Sequence, residues 1–195
     1  KPAEEPKVLN VLNWSDYIAE DTIANFEKET GIDVTYDVFD SNEVLAAKLR
    51  TGSSGYDAVV PSLTVLARQI QAGVFMPLDK SKLPMANFDP NYLNLPFDPN
   101  NDYTIPYQAG TDAIMVNTEA VSEPPTSFAD LWKPEHAGRI VSIDDSRAVI
   151  AFTLLTLGYD PNTHDPAQLD EAKAKLAELI PNVKLFDSDS PKTAL

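Results

Sequence analysis

The chain has 195 residues, of which 43% are hydrophobic and 9% aromatic, as expected for a globular protein with one large or two small domains. It contains no cysteine, which excludes disulfides and thiolate chemistry, and no apolar run reaches the ~18 residues of a membrane span. The formal charge of −15 disfavours nucleic acid and anionic membranes and favours cationic partners, although solubility alone is the simpler explanation of that charge.

The first part of the chain predicts strands and helices in alternation. Residues 1–7, KPAEEPK, lack the apolar region of a signal peptide and are expected to be a leader left after processing or cloning. Asp21, Asp40 and Ser62 are each placed to cap a helix. The predicted strands are 8–12, 32–38 and 57–60, and the predicted helices are 21–30, 40–52 and 62–73. This order predicts a mostly parallel sheet with helices on its faces.

The second part of the chain follows an irregular, proline-rich excursion at 77–101. Beyond it we predict strands at 139–143 and 183–186, helices at 127–132, 146–157 and 165–180, and extended segments at 103–108 and 111–117. The pattern predicts two α/β units: a first lobe at 8–110, a hinge at 111–117 and a second lobe at 118–195. The second lobe is short of strands, so it is expected to be incomplete.

Polar and aromatic residues follow the predicted strands, where ligands bind in open α/β sheets. These segments are 13–17, 40–43, 61–64 and 144–147. Their carboxylates, hydroxyls and aromatic rings suit an organic cation, because rings attract ammonium groups and carboxylates accept their hydrogen bonds. Helix capping explains Asp40 and Glu43 fully, and for Ser62 capping and ligand binding are equally good interpretations. The cluster from Trp14 to Tyr17 favours a ligand site, since no capping or packing rule requires it.

Other chemistries find little support in the sequence. His136 and His164 are the only histidines and lie far apart, which disfavours a zinc site or a catalytic dyad. Residues 98–109 begin like a calcium loop but lack its glycine and closing glutamate. No phosphate-binding or nucleophile-elbow motif is present. We therefore predict no metal, no cofactor and no enzymatic activity, with a carboxylate-based hydrolase as a rival that would need two facing acids.

Four stretches of the sequence resemble a known family. They read VLNWSDYIAEDTIANFEKETGIDVTYDVFDSNEVLAAKL, YDAVVPSLTVLARQIQAGVFMPLDKSKLP, FDPNNDYTIPY and DLWKPEHAGRIVSIDDSRAV. They closely resemble the periplasmic spermidine/putrescine-binding components of bacterial ABC importers, over residues 9–195. The resemblance implies a type II periplasmic-binding-protein fold that closes like a hinge over a polyamine, and a family chain that continues beyond Leu195.

The resemblance also implies a set of ligand-binding residues. They are Trp14, Ser15, Asp16, Tyr17, Ser62, Thr64 and Asp145. Trp14 and Tyr17 match aromatic contacts, and Thr64 falls where the putrescine branch has serine and the spermidine branch tyrosine. Ala148 stands where both branches have a ligand-binding glutamate, so the preferred amine stays open.

The resemblance implies a periplasmic location, or a cell-surface lipoprotein in a Gram-positive organism, and an ABC permease as the partner. Two alternatives remain: a binder of another small amine or polar solute, and a truncated lobe that acts as an interaction module and self-associates.

Overall fold

The computed structural model describes residues 7–50, 52 and 54–188. By internal contacts the chain divides into two compact units, Lys1–Gly110 and Thr111–Leu195. The predicted leader lies outside the described residues except for Lys7, and so does the end of the predicted second lobe, 189–195. No helix among the described residues is long and apolar enough to cross a membrane.

The first unit is built on a three-stranded parallel sheet. The strands are β1 (Val8–Trp14), β2 (Asp33–Phe39) and β3 (Ala58–Val59), and the helices are α1 (Thr22–Thr30), α2 (Asn42–Leu49) and α3 (Leu63–Gln71). The strand order is β2-β1-β3, and β1 pairs with β2 along its full length, from Val8 opposite Asp33 to Trp14 opposite Phe39. The predicted alternation and parallel sheet are confirmed.

A small apolar cluster holds α2 to this sheet. Leu12 of β1, Phe39 of β2 and Leu45 of α2 are at most 3% exposed and pack together. Burying such a side chain stabilises the fold by roughly 1.5–3 kcal/mol. The partly buried residues that pack against this cluster are Trp14, Leu49, Tyr56 and Val59. The cluster therefore ends at Trp14, the last residue of β1.

Three of the predicted caps differ from the structure. Asp40 does not cap α2; Ser41 does, because Ser41 has the extended backbone that an N-cap requires and its hydroxyl accepts the Val44 N–H at 3.3 Å. Asp21 occupies the N-cap position of α1 without a capping bond, and its carboxylate accepts instead from the Asn25 side chain. Ser62 likewise precedes α3 without a side-chain cap.

The irregular excursion is organised by one buried carboxylate. Asp98 is 4% exposed and accepts the N–H groups of Asp102, Tyr103 and Thr104 and the Thr104 hydroxyl, at 2.8–3.0 Å. Asn101, also buried, has a positive φ of 52° and bonds to the backbone of residues 94 and 104. Asp98 thus has a structural role. The predicted extended segment at 103–108 joins no strand ladder among the described residues, because no neighbouring strand lies beside it.

The second unit has two parallel strands and two longer helices. They are β4 (Ile140–Ser142), β5 (Val183–Phe186), α4 (Ser146–Thr156) and α5 (Pro166–Leu179). The predicted helix at 127–132 is a 3-10 turn, Phe128–Trp132, whose Trp132 indole N–H donates to the Lys175 carbonyl at 2.7 Å. Residues 111–117, predicted as extended, likewise pair with no strand of the described chain.

Asp145 caps α4, and its removal should be measurable. Its Oδ1 accepts the Ala148 N–H at 3.0 Å, so Asp145→Ala should lower the free energy of unfolding of the second unit by about 1 kcal/mol. Asp145→Asn should change it much less, because asparagine caps equally well. Urea unfolding followed by Trp132 fluorescence, in a Trp14→Phe background, measures both. Equal losses of stability in the two variants would show that α4 is stabilised by the charge of the carboxylate and that the capping hydrogen bond contributes little.

Candidate functional site

The three strands of the first unit end at the same edge of the sheet. Because β1, β2 and β3 are parallel, Trp14, Phe39 and Val59 mark their carboxyl ends, where ligands bind in open α/β sheets. The structure brings to this edge six of the seven residues predicted from the sequence. They are Trp14, Ser15, Asp16, Tyr17, Ser62 and Thr64.

Trp14 lies at the boundary between the core and this edge. Its ring centroid is 4.5 Å from that of Phe39 and 6.1 Å from that of Tyr17, and the side chain is half-buried. Trp14 therefore does pack against the apolar cluster, which the sequence reasoning did not expect. A packing role and a ligand role are compatible here, since an indole can pack on both of its faces.

The loop after Trp14 is hydrogen-bonded on both sides of Asp16. The Ser15 N–H donates to the Phe39 carbonyl at 3.4 Å, and the Tyr17 carbonyl accepts from the Tyr107 hydroxyl. Between them Asp16 adopts a left-handed conformation with φ of 59°, which is unfavourable for a residue with a Cβ. This turn leaves Asp16 exposed and the Tyr17 side chain 42% exposed. A carboxylate and an aromatic ring are thus presented beside Trp14.

A polar group supports this loop from the sheet. Asn13 is 2% exposed; its Oδ1 accepts the Trp14 N–H at 2.8 Å and its Nδ2 donates to the Tyr107 hydroxyl at 3.5 Å. The nearby Tyr36 hydroxyl is buried and makes no hydrogen bond to the described residues. Burial raises the pKa of this Tyr36 hydroxyl, and the Asn13 side chain partly offsets the rise. Sequence reasoning missed this group; its one signal was a polar Asn13 inside an apolar run.

Ser62 and Thr64 lie at the start of α3. The Ser62 N–H donates at 3.3 Å to the Oδ1 of Asn42, which is 8% exposed in the first turn of α2. This bond fixes Ser62 against the start of the neighbouring helix. Because the Ser62 hydroxyl does not cap α3, the capping explanation for this residue is wrong, and its role as a ligand contact stays a prediction. Thr64 is exposed and is the second residue of α3.

Asp145 belongs to the second unit, just after β4. It is half-buried, and capping α4 engages one of its two carboxylate oxygens. Ala148 is the third residue of α4 and is half-buried on the same first turn. The basic Arg147, two positions after Asp145, donates to the Asn162 side chain at 2.9 Å. Asp145 therefore has one oxygen beyond the cap with which to accept another donor.

The chemistry of these residues suits a ligand that donates hydrogen bonds and carries positive charge. Aromatic faces attract ammonium groups by ~0.5–2 kcal/mol, and a hydrogen bond to a carboxylate contributes about 1.5–3 kcal/mol. In the described ranges, no group of three or more histidine, aspartate or glutamate side chains is arranged to hold a metal ion.

Comparisons with known proteins identify the family of this chain. The family model of the bacterial extracellular solute-binding proteins matches residues 21–195. The Escherichia coli (strain K12) spermidine/putrescine-binding periplasmic protein is 46% identical over 192 residues, which cover 97% of this chain and 55% of that protein. The chain thus spans about half the length of that curated relative.

Two solved structures are similar as well. The spermidine/putrescine ABC transporter substrate-binding protein PotD of Streptococcus pneumoniae is 40% identical, with a TM-score of 0.72 over 95% of this chain and 58% of that one. The TpPotD lipoprotein of Treponema pallidum is 33% identical, with a TM-score of 0.84 over 94% and 58%. The resemblance found in the sequence and the predicted periplasmic-binding-protein fold are confirmed. The chain belongs to the bacterial extracellular solute-binding proteins.

Proposed function

We propose that this chain is part of the substrate-binding component of an ABC importer, which captures a polyamine such as putrescine or spermidine and delivers it to the permease. The observation that carries the proposal is the loop from Trp14 to Tyr17, which presents two aromatic rings and a carboxylate at the ligand-binding edge of the sheet. The names of its relatives support the same ligand class.

A polyamine matches the loop in both of its parts. The ammonium end can donate to the Asp16 carboxylate, and the methylene chain can pack on the rings of Trp14 and Tyr17. In the second unit the remaining oxygen of Asp145 offers a further acceptor. The excess of acidic residues, 30 against 15 basic, attracts cations at longer range.

The proposal includes where the protein acts and what it does not do. A periplasmic location, or a lipid anchor as in the Treponema relative, is supported by the names of the relatives. Solute-binding proteins are transport components, so turnover of the bound amine is not expected. The rival ligand is another small amine or polar solute, because Ala148 places no carboxylate on α4 beside Asp145.

Replacing Tyr17 tests the proposal most directly. In a binding-competent, full-length form, Tyr17→Ala should weaken putrescine or spermidine binding by about 1–3 kcal/mol, roughly 5- to 150-fold, through lost ring contact. Because Tyr17 is 42% exposed, the free energy of unfolding should change little. Isothermal titration gives the affinity. Tyr92→Ala, which removes a ring that is 47% exposed elsewhere in the same unit, should leave the affinity unchanged. An affinity loss as large in Tyr92→Ala, or none in Tyr17→Ala, would remove the loop from the site.

Restoring an acid at Ala148 tests which amine is preferred. Position 148 lies in the first turn of α4, where negative charge interacts favourably with the helix dipole, so Ala148→Glu should fold. The added carboxylate should strengthen binding of at least one linear polyamine, since an unpaired buried ammonium is costly. Parallel titrations of both forms with putrescine and spermidine give the answer. The charge-neutral Ala148→Gln is the matched control, and an equal gain from glutamine would show that charge is not the cause.

The second unit also carries apolar surface that a second copy of the chain can cover. A groove of about 500 Å³ runs along β4, lined by apolar residues that include Ile114, Val116 and Phe152. Leu185 of β5 is 45% exposed, and each strand of this sheet has an outer edge without a partner strand among the described residues. Such edges recruit further strands.

We therefore expect the 195-residue chain to self-associate as its concentration rises. Sedimentation velocity at two widely separated concentrations measures this. Leu185→Glu should reduce the association, because it places a charge beside the open edge. The control is Met76→Glu, which places the same charge at an 84% exposed position of the first unit and should leave the association unchanged. A monomer at both concentrations would rule self-association out.

A further inference from the structure

A short hydrogen-bonded chain runs from β1 to the ligand loop through Tyr107. The Asn13 side chain donates to the Tyr107 hydroxyl, and this hydroxyl donates to the Tyr17 carbonyl. The hydroxyl thus acts as acceptor and donor at once, which uses the capacity of a phenol well. The two tyrosines lie 90 positions apart, so the contact joins two distant parts of the first unit.

Packing contributes little to the position of the Tyr107 ring. Tyr107 is 54% exposed, more than Tyr17 or Tyr92. A side chain so exposed gains little from burial, and holding its rotamers fixed costs conformational entropy. What distinguishes Tyr107 from an ordinary surface tyrosine is therefore that its hydroxyl makes two hydrogen bonds.

The loop in turn needs an external support. Asp16 holds a left-handed backbone conformation, which costs energy even for an aspartate and is stabilised by contacts on either side of it. On the side of Trp14 the loop is held by the bond from the Ser15 N–H to the Phe39 carbonyl. On the other side it is held by Tyr107. Loss of the Tyr107 bond removes one support of the loop at Tyr17 and increases the mobility of the loop as a whole, including the Ser15 N–H bond on its other side.

We propose that Tyr107 is a positioning residue for the amine site, and that it links this site to the segment by which the chain leaves the first unit. The assignment rests on the proposed function. Tyr107 lies three residues before Gly110, the last residue of that unit. Three residues span at most about 10 Å. The backbone at 108–110 and the Tyr17 carbonyl are therefore joined by a short covalent and hydrogen-bonded path.

This link makes the ligand loop sensitive to the backbone conformation of residues 108–110. A rotation there displaces the Tyr107 hydroxyl, which must then lengthen or break its bond to the Tyr17 carbonyl. Conversely, an amine that binds to and orders the loop favours the backbone conformation in which that bond is intact, because coupling between two sites is reciprocal.

The first test is made on the 195-residue chain without ligand. Tyr107→Phe removes only the hydroxyl, and Tyr92→Phe is the matched control at an exposed tyrosine of the same unit. One hydrogen bond of ordinary strength corresponds to about 2- to 12-fold in an opening equilibrium. We expect the Ser15 amide to exchange its hydrogen faster by this factor in Tyr107→Phe. The order parameters of the Asp16 and Tyr17 amides should also fall in Tyr107→Phe. The amide of Val11 in β1 should not change in this variant, and none of these amides should change in Tyr92→Phe.

Two results of this test would overturn the proposal. In one, the loop amides of Tyr107→Phe match those of the parent. In the other, every amide of the first unit exchanges faster by the same factor, because this would show a general loss of stability in place of a local effect.

The second test measures putrescine binding to the full-length form by titration. Tyr107→Phe should weaken it about 2- to 12-fold, and Tyr92→Phe should not. A loop that loosens without a change in affinity would show that Tyr107 orders the loop but does not position it for the ligand, and would overturn the assignment. Absence of amine binding by the parent would reject the proposed function instead, and the loop measurements would then decide the role of Tyr107 alone.

Discussion

The first unit depends on the pairing of β1 with a parallel strand on each side. A central strand must bond along both of its edges, and β1 does so with β2 over seven residue pairs and with β3 at its carboxyl half. Because the three strands run in one direction, their ends coincide. The loop from Ser15 to Tyr17 and the starts of α2 and α3 then meet at one edge without a separate device to bring them together.

Trp14 shows how closely the core and the site are joined. It is the last residue of β1, packs on Phe39 of the buried cluster and faces Tyr17 of the loop. If Trp14 contacts the ligand as proposed, a substitution there alters stability and ligand contact together, and its effect on affinity is hard to separate from its effect on folding. Tyr17 and Tyr107 are more exposed and separate the two more cleanly.

The elements of the sheet were predictable because each carries a local signal. Short apolar or alternating runs predict the bounds of β1, β2 and β5 to within two residues, and Gly31, with its positive φ, ends α1 as expected. The cap of α2 was misplaced by one residue because Asp40 and Ser41 are both good N-cap residues, and spacing alone cannot choose between them. Residues 103–108 and 111–117 have strand-like composition, but a strand exists only where another chain segment pairs with it.

Some features of the candidate site were predictable from the sequence and others were not. Trp14 to Tyr17 stood out by residue type, and the parallel order of the strands placed them at the edge where open α/β sheets in general bind ligands. The support from Tyr107 was invisible, because no local rule relates residues 90 positions apart. The Trp14 packing was also missed, since it depends on the register of β1 against β2.

The Asp98 carboxylate has a consequence for how the excursion forms. All four of its donors come from the next six residues, and the Leu78 N–H and the Lys80 ammonium close the ends of the segment on Asp102, each at 2.7 Å. The bonds to Asp98 span only four to six positions, so they cost little loop-closure entropy and form quickly. The segment can therefore reach its shape early in folding, before the sheet is complete, and it can accept sequence change elsewhere in the chain without losing that shape.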